Sequence, residues 1–225
     1  MPQEKKPENP STKDKKGSKI SKSLIKRLPV YLRILDNLIR RDVDIVSSRF
    51  LSDETDFTAV QIRKDLATFG AFGTRGTGYN TSYLREKLLG ITGLDKQIKI
   101  VVVGSGHLGN ALTRYNILEN PYVEIAGIFD ANPAELNNDI LGIKVQAMED
   151  LPRVIEEQSI KVAMITVPAE VAQEVVDLLV ENGIIAILNF APTKLRSPAG
   201  VHIHNADLNI ELQSMIYYSL EREKE

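Results

Sequence analysis

The sequence predicts a two-part α/β chain: a helical N-terminal module closed by a glycine-rich hairpin, then a parallel sheet flanked by helices, then one long terminal helix. Three observations carry this. Apolar residues recur at helical spacing through the first third, whereas short β-branched runs alternating with helical patterns fill the rest. Two glycine clusters stand roughly thirty residues apart, "GAFGTRGTGYN" (70–80) and "VVVGSGHLGNA" (101–111). Charge is divided: residues 1–92 hold 18 Lys and Arg against 11 Asp and Glu, and residues 93–225 hold 10 against 19, within a net charge of −2. A basic half joined to an acidic half suggests that only the first meets a polyanion.

Composition narrows the classes. The 225 residues are 43% apolar, enough for one large core or two modest ones. The chain has no Cys, which removes disulfides and thiolate zinc sites and fits a reducing cytoplasm. No apolar run approaches the ~20 residues of a membrane span, and no apolar stretch follows the N-terminal lysines as in a secretory signal. Residues 1–19 are rich in Lys and Pro and read as a disordered tail, either a solvated leader or a loose basic arm.

Taken in order, "ISKSLIKRLPVYLRILDNLIRR" places Leu24, Leu28, Tyr31, Leu32, Leu35, Leu38 and Ile39 on one helical face. Pro29 either starts the main helix or kinks a longer one. Ser47 or Ser48 caps a short helix in "VSSRFLSDET". Thr58 caps the next, "FTAVQIRKDLATFG", with Ile62, Leu66 and Phe69 inward and Gly70 as its stop. The first glycine cluster follows at once, and "TSYLREKLLGITGL" forms another helix ending near Gly90 or Gly93. From Lys96 the texture changes. "KIVVVG", "VEIAGIFD", "IKVAMITVP" and "GIIAILNF" are strands of a parallel sheet, with helices at 107–119 and 169–182. At the end, Leu208, Leu212, Met215, Ile216 and Leu220 form an apolar helical stripe. These readings divide the chain into a tail (1–19), a helical module (20–92), a sheet domain (93–204) and a terminal helix (205–225).

Gly104, Gly106 and Gly109 have G-x-G-x-x-G spacing between a strand and a helix, the context of a Rossmann-like dinucleotide loop. Gly104 permits the tight turn, Gly106 lets backbone approach a pyrophosphate, and Gly109 lets the helix pack on the strand. Ser105, His107 and Leu108 complete the loop, whose helix N-terminus offers free N–H groups. Asp130 ends the second strand 21 residues after Gly109, where a carboxylate accepts the ribose hydroxyls and repels a 2′-phosphate, favouring NADH and NAD⁺. The other reading of Asp130 is a turn cap before "NP". Thr166, Val167 and Pro168, and Asn189, Phe190 and Ala191, end two further strands and are expected along the same cleft.

A dehydrogenase needs an acid/base group beside the nicotinamide and a second-substrate pocket. Little sequence follows the last strand to supply them. His107 sits in the glycine loop, and His202 and His204 share one strand face without further metal-ligand partners, so no metal site is expected.

In the first half, helix, turn, helix and a basic glycine hairpin follow the order of a winged helix-turn-helix. The outward face of the third helix carries Gln61, Arg63, Lys64 and Thr68. Gln pairs with adenine, and Arg or Lys with guanine. Arg75 and Gly76 sit at the hairpin tip, where Arg75 reaches a narrow minor groove of double-stranded DNA. Ser47, Ser48 and Thr58, at the helix starts, complete the expected DNA face.

Over residues 20–220 the sequence resembles the Rex family of bacterial redox-sensing repressors. The residues that carry the resemblance are "YLRIL" (31–35), "QIRKDLATFGAFGTRGTGYN" (61–80), "VVVGSGHLGNAL" (101–112), "ITVPAEVAQEVVDLLVENGIIAILNFAP" (165–192) and "NADL" (205–208). The resemblance implies a homodimer that binds palindromic operators when NADH is scarce, and is released when the NADH-bound dimer closes. It implies a terminal helix swapped between subunits. It also implies a switch pair, Arg33 with Asp207 of the other subunit, and a cofactor-sensing Tyr115. Some members carry an aromatic residue after that Asp; Leu208 stands there in this chain. Two other readings remain beside the repressor: a small NAD-dependent oxidoreductase, and a DNA-binding regulator that senses coenzyme A or an acyl form of it.

Overall fold

The computed structural model describes residues 20–74, 76–132 and 138–221. The tail expected at 1–19 and the hairpin-tip Arg75 lie outside the described residues. The chain divides into two compact units, Met1–Asp95 and Lys96–Glu225.

The first unit opens with α1 (Lys22–Arg40), capped by Ser21, whose side chain accepts from the Leu24 N–H. Pro29 lies inside this single helix rather than at its start. Leu24 and Leu28 before it, and Tyr31, Leu32, Leu35 and Leu38 after it, are all buried. Their packing outweighs the one backbone hydrogen bond that proline forfeits. A two-residue strand β1 (Ile45–Val46) leads to α2 (Ser48–Asp53), capped by Ser47. Thr58 then caps α3 (Ala59–Ala67) by accepting from Gln61 N–H. The α3 helix closes at Thr68, before the expected stop at Gly70, because the Thr68 and Phe69 amides already turn back to Asp65 and Leu66 carbonyls.

Strands β2 (Gly73–Thr74) and β3 (Gly78–Asn80) form the hairpin, and β3 also pairs antiparallel with β1. The resulting order, β1-β3-β2, is the small sheet of a winged helix. Gly78 is dictated by contact: a Cβ there would strike the Val46 carbonyl. Helix α4 (Thr81–Thr92) follows directly, capped by Asn80. One apolar core gathers α1, α2, α3 and α4 around Tyr31, Leu35, Leu51, Ile62, Leu66, Leu84 and Leu88. Strand β1 is not legible in the sequence, because its two residues are too few for a periodic signal.

The second unit begins with β4 (Ile98–Val103), α5 (His107–Glu119) and β5 (Val123–Asp130). A hairpin of β6 (Asp139–Ile140) and β7 (Ile143–Ala147) comes next, then α6 (Leu151–Glu157). The chain continues through β8 (Val162–Ile165), α7 (Ala169–Glu181), β9 (Ala186–Asn189) and β10 (His202–Asn205) to α8 (Leu208–Glu221). The sheet order is β10-β9-β8-β4-β5-β7-β6, parallel throughout except for the β6–β7 pair. From β4 the chain first winds through β5 to β7, then returns to β8 and winds the other way. The order therefore switches between β4 and β8, where such sheets open a crevice at their C-terminal ends. One face buries Val102, Ile128 and Met164 with Leu112 and Ile117 of α5. The opposite face buries Val103, Phe129 and Ile165 beneath α6 and α7.

Helix α8 differs from every other helix. Leu208, Ile210, Leu212, Met215, Ile216, Tyr217, Tyr218 and Leu220 are 51–62% exposed. Asp207 starts it, its carboxylate accepting from the Asn209 and Ile210 amides.

Candidate functional site

The glycine loop joins β4 to α5, and each glycine has a separate physical reason. Gly104 has φ +98° and lies against Thr166, which donates from its Oγ1 to the Gly104 carbonyl at 2.8 Å. A Cβ on Gly109 would collide with the Gly104 carbonyl and sit 2.6 Å from Thr166 Oγ1. A Cβ on Gly106 would meet nothing within 4 Å. Gly104 and Gly109 therefore hold loop, helix and β8 together, while Gly106 leaves open space in front of the loop. Gly106 caps α5 without a side chain, and the first helical bond starts at Asn110 N–H, which reaches the Gly106 carbonyl. The amides of His107, Leu108 and Gly109 thus form an uncapped, positively polarised helix end suited to an anion.

Asp130 stands beside this loop at the end of β5. Its Oδ2 accepts from Ser105 N–H at 2.7 Å and Ser105 Oγ at 3.0 Å, and its Oδ1 from Asn132 N–H at 2.8 Å. Asp130 thus caps the turn before Asn132, as one sequence reading has it, and it also ties the glycine loop to β5. A carboxylate has about four lone-pair positions, so acceptor capacity remains for a ribose hydroxyl.

A cleft of ≈ 770 Å³ opens between these groups. Of the residues expected there, Gly104, Gly106, Leu108, Asp130, Thr166, Val167, Pro168 and Phe190 line it. The others serve elsewhere. Ser105 is buried and turned to Asp130, and Gly109 is in the packing contact described above. Asn189 is fully buried, donating to the Ala191 carbonyl and to Asn205 Oδ1, while Ala191 N–H donates to Asn189 Oδ1. Asn189 and Ala191 thus shape the strand end rather than the cleft wall. His107 is exposed at the first turn of α5. Tyr115 and Leu208 are about 60% exposed and do not line the cleft. The sequence missed Met148 and the α7 residues Val171, Glu174, Val175 and Leu178, which do line it. Their i, i+3, i+4, i+7 spacing was legible, but only the fold turns that face to the cleft. His202 and His204 lie exposed on β10, and no cluster of three metal-ligating side chains occurs among the described residues.

In the first unit, a groove of ≈ 700 Å³ separates α3 from the hairpin, lined by Ser47, Ser48, Arg63, Gly76 and Tyr79 among others. Arg63 donates to Ser48 Oγ at 2.8 Å, and Lys64 is exposed beside it. Gln61 is not the free base reader expected: its Nε2 donates to Asp65 Oδ1 at 2.6 Å. Thr58 is committed to its cap, and Thr68 Oγ1 donates back to the Lys64 carbonyl. Arg33 is exposed on α1.

The holder of α3 is a buried network that the sequence reading missed. Asp65, 3% exposed, receives Arg27 bidentately at 2.6 and 2.8 Å and the Tyr31 hydroxyl at 2.7 Å, besides Gln61. Phe57 closes it, edge-on to Tyr31 and under the Arg27 guanidinium. Burial pushes the Asp65 carboxyl upward, but the donors Arg27, Tyr31 and Gln61 outweigh it and hold the carboxyl below its ordinary value. Burial and the bond to Asp65 push the Tyr31 phenol up. The available signal was a carboxylate one residue before Leu66 on the inward side of an amphipathic helix.

A winged helix-turn-helix in one unit and a dinucleotide-type cleft in the other define the class of ligand-responsive transcriptional regulators. Two family models divide the chain the same way: "Putative DNA-binding protein N-terminus" matches residues 19–67 and "CoA binding domain" residues 95–193. The chain is 59% identical over 197 residues to the redox-sensing transcriptional repressor Rex of Natranaerobius thermophilus, covering 88% of this chain and 90% of that one. It is 45% identical to the Rex of Brevibacillus brevis, over 90% and 98% of the two chains. This chain belongs to the Rex family of redox-sensing transcriptional repressors. Among solved structures it resembles the repressor RSP in complex with β-NAD⁺ and operator DNA, with 38% identity, TM-score 0.83 and coverage of 92% and 95%. It likewise resembles RSP in complex with β-NADH, with 36% identity, TM-score 0.80 and coverage of 92% and 97%.

Proposed function

We propose that this chain is a homodimeric, cytoplasmic repressor that binds palindromic operator DNA when NADH is low and leaves it when NADH fills the cleft of its sheet unit. The observation that carries the proposal is the pairing, in one chain, of a helix-turn-helix bearing Arg63 and Lys64 with a cleft built to hold a dinucleotide. The residues fit that ligand. Open space before Gly106 and the uncapped amides of α5 suit a pyrophosphate. Asp130 suits an adenosine ribose without a 2′-phosphate. The apolar wall of Val167, Pro168, Val171 and Phe190 suits the rings. NADH supplies no chemistry to this chain; it is a signal, and the protein's residues bind and orient it.

On the DNA side, α3 enters the major groove with Lys64 and Arg63, Ser47 and Ser48 position phosphate, and Arg75 with Gly76 follows the minor groove. Two such units need a dimer. The exposed apolar surface of α8 supports one in which this helix packs on the partner. In that dimer Arg33 pairs with Asp207 of the other subunit in one arrangement, and Tyr115 and Leu208 lie near the filled cleft.

The test is a gel shift on a palindromic operator fragment with increasing NADH, with NAD⁺ and NADPH as controls. The expected result is release by NADH, weaker release by NAD⁺ and none by NADPH. Operator binding indifferent to NADH would sink the proposal. A second reading, a regulator sensing coenzyme A, is favoured by the family model that matches residues 95–193. Asp130→Ala separates the two: it weakens release by NADH at least tenfold under the first reading and leaves release by coenzyme A unchanged under the second, a tenfold change being about 1.4 kcal/mol.

A further inference from the structure

We infer that Val60 reads a thymine in each operator half-site through the thymine C5-methyl group. This rests on the proposal that α3 enters the major groove.

Val60 is 67% exposed, the most exposed large apolar side chain among the described residues of the first unit. It is a β-branched residue at the second position of a nine-residue helix, so neither helix propensity nor core burial explains it. At about 100° per residue, Val60 points opposite to Ile62, which is fully buried in the core. Arg63 and Lys64 follow it at i+3 and i+4, so the three share one outward face and Val60 is its N-terminal member. Recognition helices present their N-terminal residues to base edges. The neighbouring polar side chains are already engaged: Thr58 caps the helix, and the Gln61 amide donates to Asp65. An apolar methyl pair is therefore what this end of α3 can offer. The major groove displays one apolar base feature, the C5-methyl of thymine. Cytosine and uracil lack it.

The test uses the full chain without NADH and the tightest duplex that it selects from a random DNA library. Each thymine in that duplex is replaced in turn by deoxyuridine, which removes the methyl and keeps every hydrogen-bonding group. Affinity is read by fluorescence anisotropy. One thymine per half-site is expected to show a loss of about fourfold with the wild type, the worth of one buried methyl. With Val60→Ala, which removes the apolar reach and favours the helix, the loss at that position disappears. With Val60→Ile it persists. If no thymine responds, or if Val60→Ala retains the same loss, the inference is overturned while operator binding stands. If the wild type selects no duplex at all, the DNA-binding proposal beneath it fails instead.

Discussion

Asp65 is the residue on which the orientation of α3 depends. It ties α3 to α1 through Arg27 and Tyr31, with Asp65 and Tyr31 buried and Arg27 partly exposed at the edge. Removing one member of such a group leaves the others buried and unpaired, so Asp65→Ala should destabilise the first unit by about 3–5 kcal/mol, measured by urea denaturation. The pH dependence follows from the direction of its shift. The folded carboxyl ionises at lower pH than the unfolded one, so its stabilisation is full above the ordinary carboxylate range and fades as pH falls through the depressed value. The stability gap between wild type and Asp65→Asn should therefore hold steady above about pH 5 and narrow as pH falls from about 5 toward about 2. A gap that stays constant below about pH 5 would mean that the Asp65 carboxyl ionises at the same pH in the folded and unfolded chains, and would overturn this account. The same network explains why Gln61, a natural adenine reader by residue type, is turned sideways: a charged neighbour at i+4 claims its amide.

At the scale of elements, α1 and α8 show opposite balances. In α1 a proline is absorbed because seven buried side chains hold the helix on both sides of it. In α8 good helix-forming sequence is capped by Asp207, yet eight large apolar side chains remain more than half exposed. Fully burying one such side chain is worth roughly 1.5–3 kcal/mol, so a second copy has much to gain by covering this helix. Under the proposed dimer, Leu212→Glu combined with Ile216→Glu should convert a dimer to a monomer in sedimentation equilibrium. Far-ultraviolet circular dichroism of the sheet unit should stay unchanged. A variant that sediments as the wild type does would place the dimer contact elsewhere.

At the scale of the molecule, the proposal joins two binding reactions in one equilibrium. If operator DNA and NADH favour different arrangements of a dimer, each must weaken the other by the same factor. The factor by which saturating NADH lowers operator affinity should equal the factor by which saturating operator lowers NADH affinity, measured by anisotropy and by isothermal titration. Unequal factors would mean that the two ligands do not share a two-state dimer. A full swing needs a preference of roughly 5 kcal/mol.

Local chemistry was already written in the sequence: a cap at Ser47 or Ser48 and another at Thr58, the strand of Val123–Asp130, the glycine loop, and the hairpin after α3. Each rests on neighbours within a few residues, where spacing alone dictates geometry. Three things emerged only with the tertiary structure. Short elements such as β1 and the β6–β7 hairpin exist because other strands pair with them, not because their residues insist on it. The α7 wall of the cleft depends on which face of that helix meets the sheet. The Tyr31 and Arg27 partners of Asp65 lie 34 and 38 positions away, a separation that no periodicity records, and their contact forms only when α1 and α3 pack together.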